Sequence, residues 1–224
     1  MASDSPAATH LQVSELGCMR GGRVLFRKLS FEMHSGTVLA LRGSNGSGKS
    51  TLLRTLAGLL PMRAGELHWI GKSVSPSSPT FQRQLAYLSH HAAMNDAMTG
   101  VENLQYLLTL AGIPWQPHQV HAVLDELDLM RAARLAFGKC SQGQRRRFGL
   151  ARVQLSQKVL WLLDEPDNAL DEQGLRWLSS ALTRHAAAGG MAIVASHRGL
   201  NLADHPTLNM PSICLSSSGS QGAV

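Results

Sequence analysis

Gly43-Ser-Asn-Gly-Ser-Gly-Lys-Ser50 is the stretch from which the rest of this chain can be read. It matches G-x-x-x-x-G-K-[ST], follows the apolar run Val38–Leu41 and opens a helical stretch over Lys49–Leu56. Glycines at these positions let successive backbone N–H groups wrap a β-phosphate with no Cβ in the way. The helix N-terminus adds partial positive charge. Gly43, Ser44, Asn45, Gly46, Ser47, Gly48 and Thr51 are therefore candidate phosphate-cradle residues. Lys49 is expected to reach the β- and γ-phosphates, and the Ser50 hydroxyl to ligate Mg2+. A merely flexible glycine turn would not need strand, loop, Lys-Ser-Thr and helix to agree.

Val159-Leu-Trp-Leu-Leu-Asp164-Glu165 supplies the matching half. An apolar strand there delivers Asp164 to a Mg2+ shell and Glu165 toward a water in line with the γ-phosphate, where a carboxylate can act as general base. Alone, such a strand could equally end in a turn at Pro166. Paired with the phosphate loop it points to nucleoside triphosphate hydrolysis.

Composition sets the frame. The 224 residues suit one domain, or one domain with a smaller lobe, and 44% apolar against 16% charged residues describe an ordinary globular chain. The longest apolar runs fall far short of the roughly 20 residues of a membrane-spanning helix, so a membrane role needs another chain. The formal charge of +6 gathers partly at Arg145, Arg146, Arg147 and Arg152, which read as solvated helix charge. No nucleic-acid reader motif accompanies them, and no nucleic-acid partner is expected. Cys18, Cys140 and Cys214 are isolated and lack metal-type spacing, which fits a reducing compartment. His118 and His121 lie three apart without carboxylate or Cys company, so no metal site is expected there. Residues 1–9 and the Ser/Gly-rich 216–224 read as flexible termini around a single domain over 10–210.

Within that domain, alternation at Leu29–His34 and near Leu11–Leu16, with a short segment at Gly65–Ile70, predicts a small, mostly antiparallel sheet. Val38–Leu41, Val159–Leu163 and Met191–Ala195 are continuously apolar, as parallel strands covered on both faces are. Each ends in polar residues, where open α/β sheets place their ligand crevice. The stretch 81–155 reads as a mostly helical lobe. Thr99-Gly-Val-Glu102 makes a capping box before a helix that Gly112 and Pro114 close, and His118–Leu135 carries a second helical pattern. In Cys140-Ser-Gln-Gly-Gln144, Ser141 and Gln144 form another capping box, so a basic helix starts there with N–H groups available to an anion.

Taken together, these motifs resemble the ABC transporter nucleotide-binding domains, whose signature is L-S-G-G-Q. The similarity runs from about Leu11 to Asp204, with the motifs in family order. Asn168-Ala-Leu-Asp171 is similar to the family's D-loop, and Ser196-His197 after the last core strand to its switch histidine. The resemblance implies an α/β P-loop NTPase core with an antiparallel β subdomain and an inserted helical subdomain. It further implies a head-to-tail dimer of two such ATPase subunits, each ATP lying between one phosphate loop and the opposite signature helix. On that pattern Ser141, Gly143 and Gln144 meet the partner's nucleotide, His197 holds the γ-phosphate and aligns Glu165, and Asp171 communicates across the dimer.

Three positions depart from the common pattern. Where an aromatic ring usually stacks on adenine stands Arg20, whose planar guanidinium can also stack; a surface Arg in a turn is an equal reading. Where a glutamine usually reaches Mg2+ and the water, Tyr87-Leu-Ser-His90-His91 offers His90, against the reading of a solvent-facing loop histidine. The signature carries Cys140 for Leu and Gln142 for Gly.

Segments 25–31, 41–49 and 52–59, His90, Glu102-Asn-Leu104, Leu162-Leu-Asp-Glu-Pro166, Ala169-Leu-Asp171 and Gly189-Gly190 resemble a narrower family, CcmA. Its members are the ATPase subunits of the cytochrome c maturation complex. That resemblance implies the membrane-spanning partners CcmB, CcmC and CcmD, and ATP hydrolysis tied to release of the haem-loaded chaperone CcmE. It places the subunit peripherally on the cytoplasmic face of the inner membrane, with the mitochondrial matrix face as the alternative. The ATPase of another small ABC exporter, or a regulatory module that binds ATP without turnover, are the competing readings; Glu165 argues against the second.

Overall fold

Two alternating segments open the chain as a long hairpin. β1 (His10–Arg20) pairs antiparallel with β2 (Arg23–His34), Leu11 facing Met33 and Val13 facing Phe31 in register. The computed structural model describes residues 10–20, 23–90, 93–196 and 206–210, and of Arg20 and Arg23 the backbone alone. β1 also pairs antiparallel with β4 (Ala64–Trp69), which turns into the short β5 (Lys72–Ser73), giving a sheet ordered β2-β1-β4-β5. The expected small antiparallel sheet is present.

The continuously apolar runs form the second sheet. β3 (Val38–Arg42), β7 (Leu160–Asp164) and β8 (Met191–Ala195) join β6 (Leu85–Leu88) and β9 (Thr207–Asn209) in the all-parallel order β6-β7-β8-β3-β9. Side chains alternate between two cores. Leu39, Leu41, Leu162 and Ile193 face one that includes α1 (Lys49–Leu56) and the antiparallel sheet. Val38, Ala40, Trp161, Leu163, Ala192 and Val194 face the other. Both faces are dry, so no polar residue interrupts these runs. Burying one such Leu or Ile fully is worth about 1.5–3 kcal/mol.

The second core is roofed by α3 (Gly100–Leu110), α4 (Pro117–Glu126), α5 (Gln142–Leu155) and α6 (Glu172–Ala187). Both expected capping boxes form, Thr99 with Glu102 and Ser141 with Gln144. One expectation is refined and one corrected. The mostly helical stretch 81–155 opens within α2 (Pro79–Gln82), but Leu85–Leu88 in it becomes an edge strand of the parallel sheet. These four residues add a strand by pairing with β7, a long-range contact that local patterning does not report. The pattern over His118–Leu135 breaks after Glu126, where Asp128 takes a φ of 51° and the chain continues as the 3-10 turn Ala132–Arg134. Among the described residues no helix is long and apolar enough to cross a membrane.

Candidate nucleotide site

Four parallel strands end side by side, and each hands its next residues to the same edge. β3 leads into Gly43–Ser50, β7 into Glu165, β8 into Ser196, and β6 into Ser89 and His90. This carboxyl edge is where open α/β sheets bind ligands.

In the loop itself, Gly48 takes a φ of 99° as the N-cap of α1, and a Cβ there would stand 3.1 Å from the Phe26 ring. Only glycine satisfies both the left-handed backbone and that contact. α3, α5 and α6 begin with side chains that accept a hydrogen bond from their first turn; α1 begins with none, and its first turn holds no acidic residue. Its leading N–H groups therefore suit an external anion. Lys49 is buried, its Nζ donating to the carbonyls of Gly43 at 2.7 Å and Ser44 at 3.0 Å, so the ammonium is held inside the loop. Burial lowers its pKa, against the opposing pull of Glu165 and Asp164. Ser47 Oγ is buried without a hydrogen-bond partner among the described residues. An uncapped helix start, an enclosed ammonium and an orphaned hydroxyl fit a triphosphate.

Ser50 Oγ donates to Asp164 Oδ1 at 2.8 Å, joining the phosphate-loop helix to the end of β7. A hydroxyl and a carboxylate so placed are the hard oxygen donors Mg2+ takes. Asp164 is 2% exposed, and burial raises its pKa, with the Ser50 hydrogen bond opposing. Glu165 follows with a φ of 50°, an unusual value for a residue with a side chain, and its N–H donates to Ala195 O at 2.7 Å. Strain of this kind costs about 1–3 kcal/mol and gathers at functional sites. Glu165 Oε2 lies 3.3 Å from His90 Nδ1 and accepts from Asn168 Nδ2 at 3.3 Å. His90 thus faces the carboxylate and not only solvent. Ser196 Oγ donates to Asp167 Oδ2 at 2.7 Å. His197 and the Arg20 side chain lie outside the described residues.

The variant signature has a structural account. Ser141 Oγ accepts from Gln144 N–H at 3.2 Å while Gln144 Oε1 accepts from Ser141 N–H at 2.9 Å, leaving the N–H groups of Gln142 and Gly143 leading α5. A Cβ on Gly143 would come within 2.9 Å of the Ala169 carbonyl oxygen, so a side chain is refused there and accepted at 142. Asp171 caps α6, accepting from Gly174 N–H at 2.8 Å, and pairs with Arg147 Nη2 at 2.7 Å. These bonds, the Gly174 amide first, hold its carboxyl below the usual carboxylate range. Ser141, Gly143 and Asp171 sit around α5 and α6, apart from the phosphate loop's own contacts.

Reading Arg145–Arg152 as solvated charge is overturned. Arg146 is 5% exposed and reaches from α5 under the site, donating to Ser89 O at 2.7 Å and to the carbonyl oxygens of Asp164 and Glu165. Arg152 Nη2 donates to Tyr87 O at 2.6 Å, and Arg145 to Cys140 O and Gly138 O. Three backbone carbonyls from two strand ends hold the Arg146 guanidinium; burial lowers its pKa, with Asp164 and Asp167 opposing. Sequence reasoning missed it because its partners are main-chain atoms far along the chain. The run of arginines itself was the available signal.

Fold and site together are those of an ABC-type ATPase subunit. Residues 26–168 match the ABC transporter family. Solved structures of an ABC transporter ATP-binding subunit (TM-score 0.79, covering 89% of this chain and 85% of that one) and of an ABC transporter ATP-binding protein from Pyrococcus furiosus (TM-score 0.78, 90% and 97%) share the fold at 22% identity. Among curated relatives, the cytochrome c biogenesis ATP-binding export protein CcmA of Pseudomonas aeruginosa is 40% identical over 200 residues, covering 89% of this chain and 98% of its own. CcmA of Bordetella bronchiseptica is 46% identical over 180 residues, 80% of this chain and 79% of its own. The chain belongs to the ABC transporter family, and within it to the CcmA ATPases of cytochrome c biogenesis. It is an ATP-hydrolysing subunit that works with a membrane permease.

Proposed function

We propose that two copies of this chain pack head to tail, so that ATP held on Gly43–Ser50 of one is completed by Ser141, Gly143 and Gln144 of the other. The observation that carries the hydrolytic part of this reading is the 2.8 Å contact from Ser50 to Asp164 with Glu165 as the next residue, which sets a metal-type oxygen pair beside a carboxylate. Lys49 and the leading N–H groups of α1 hold the β- and γ-phosphates, and Thr51 follows them in the helix. Mg2+ on Ser50 and Asp164 supplies charge neutralisation for the phosphates. Glu165, oriented by His90 and Asn168, accepts a proton from water as its oxygen bonds to the γ-phosphorus and the bond to the ADP oxygen breaks. His90 takes the place of the customary glutamine, and His197 steadies the γ-phosphate. Arg20 stacks on the adenine. Asp171 carries the state of one site to the other.

Dimer closure on ATP and reopening after hydrolysis then drive CcmB-, CcmC- and CcmD-like permease subunits at the cytoplasmic face of the inner membrane. The output is release of the haem-loaded chaperone of cytochrome c maturation. Support comes from the CcmA relatives, which cover most of the chain. The test is Mg2+-dependent ATPase activity of the chain co-purified with its membrane partners. Activity removed by Glu165→Gln, together with recovery of haem-handling partners, is expected. No such activity would end the catalytic assignment, and recovery of an unrelated permease would end the pathway assignment.

A further inference from the structure

We propose that His10, Glu32 and His34 form a binding site for a divalent transition ion of the zinc type, on the solvent face of the antiparallel sheet and apart from the nucleotide site. His10 and His34 are directly opposed across the β1–β2 ladder, and Gln12 opposes Glu32. Strand alternation puts Leu11 and Met33 into the core and leaves His10, Glu32 and His34 together on the outer face. Their rings stack with centroids 4.7 Å apart and planes 19° from parallel. His10 Nε2 is 3.6 Å from Glu32 Oε2, and His34 Nε2 is 3.9 Å from Glu32 Oε1.

One ligand atom from each residue falls within 4.8 Å of the others, and among the described residues no other group of three or more such side chains does this. Tetrahedral ligands held about 2.0–2.2 Å from zinc stand roughly 3.3–3.6 Å from one another, so closing the site draws the donors together by up to about an ångström and turns the two stacked rings toward a common point. Among the described residues His10 Nε2 is buried without a hydrogen-bond partner, and in the Nδ1–H tautomer it offers its lone pair to a metal. Two imidazoles and one carboxylate select Zn2+, Ni2+ or Cu2+ over Mg2+. Three protein donors leave a fourth position to water or a further ligand. His68 lies on the same face, across Gln12 on β4, but is paired with Glu66 at 3.8 Å. A bound ion would tie the start of β1 to the end of β2, just before the chain enters β3.

The experiment is a calorimetric titration of Zn2+ into the full chain, with excess Mg2+ and ADP present to occupy the nucleotide site. A single specific site is expected, with His34→Ala and Glu32→Gln each weakening it by roughly tenfold or more and His10→Ala/His34→Ala removing it. His68→Ala and His118→Ala/His121→Ala should bind as the parent does. Zn2+ should raise the thermal midpoint of the parent and leave that of His10→Ala/His34→Ala unmoved. Undiminished binding by His10→Ala/His34→Ala, or none by the parent, overturns the proposal.

Discussion

His90 Nδ1 stands 3.3 Å from Glu165 Oε2, so the loop leaving β6 and the residue leaving β7 meet across the ends of adjacent strands. On the proposed mechanism Glu165 takes the proton and His90 orients it. Glu165→Gln should lower kcat by about 10²–10⁴ while ATP affinity holds. His90→Ala should cost less, and His90→Gln should recover most of the activity by restoring a polar group at that place. Steady-state turnover alongside nucleotide titration checks this; a His90→Ala enzyme with full turnover would remove the orienting role.

Ser50 and Asp164 carry the second expectation. In Ser50→Ala the buried Asp164 loses its hydroxyl donor and Mg2+ loses a ligand. ATP affinity measured with and without Mg2+ should become nearly the same, where the parent shows a clear gain with the metal. An undiminished Mg2+ effect in Ser50→Ala would exclude the pair as its site.

Arg146 tests the link between lobe and site. Its removal leaves three carbonyl oxygens without their cationic donor in a buried place. Arg146→Ala should lose about 1.5–3 kcal/mol of unfolding free energy, the range for hydrogen bonds made by a charged group. Arg146→Lys should recover only part, because an ammonium cannot fork to carbonyls on two strands. Urea midpoints measure both, and a midpoint unchanged in Arg146→Ala contradicts the clamp.

Much of this was legible in the sequence, and the boundary follows physical range. Gly43–Ser50 declares itself because strand, loop and helix are contiguous, and Ser141–Gln144 because a capping box spans one turn. Leu85–Leu88 escapes because four residues become a strand only by lying beside β7. Arg146 escapes for the same reason, since nothing local distinguishes it from Arg145.

His185 gives a pH expectation. Its ring stacks on Trp161 at 3.8 Å, and Nε2 meets the Val159 and Met191 carbonyls. Burial lowers its pKa below the ordinary value of about 6.5, with the two carbonyls opposing. The unfolded chain therefore binds the proton first, and stability falls as pH drops below about 6.5 toward the folded value. Unfolding free energy followed from neutral to mildly acidic pH should show this slope, and His185→Gln should flatten it. An equal slope in His185→Gln would assign the acid sensitivity elsewhere.

The close approach of Gly143 to the Ala169 carbonyl divides the signature segment into a position that can drift and one that cannot. Gln142 is exposed and meets no such wall, while the helix still begins where Ser141 and Gln144 lock it. A search that demands two adjacent glycines would pass over such a chain. One that asks for a cap, a single glycine and a facing backbone oxygen would retain it, because those are the features this helix start requires sterically.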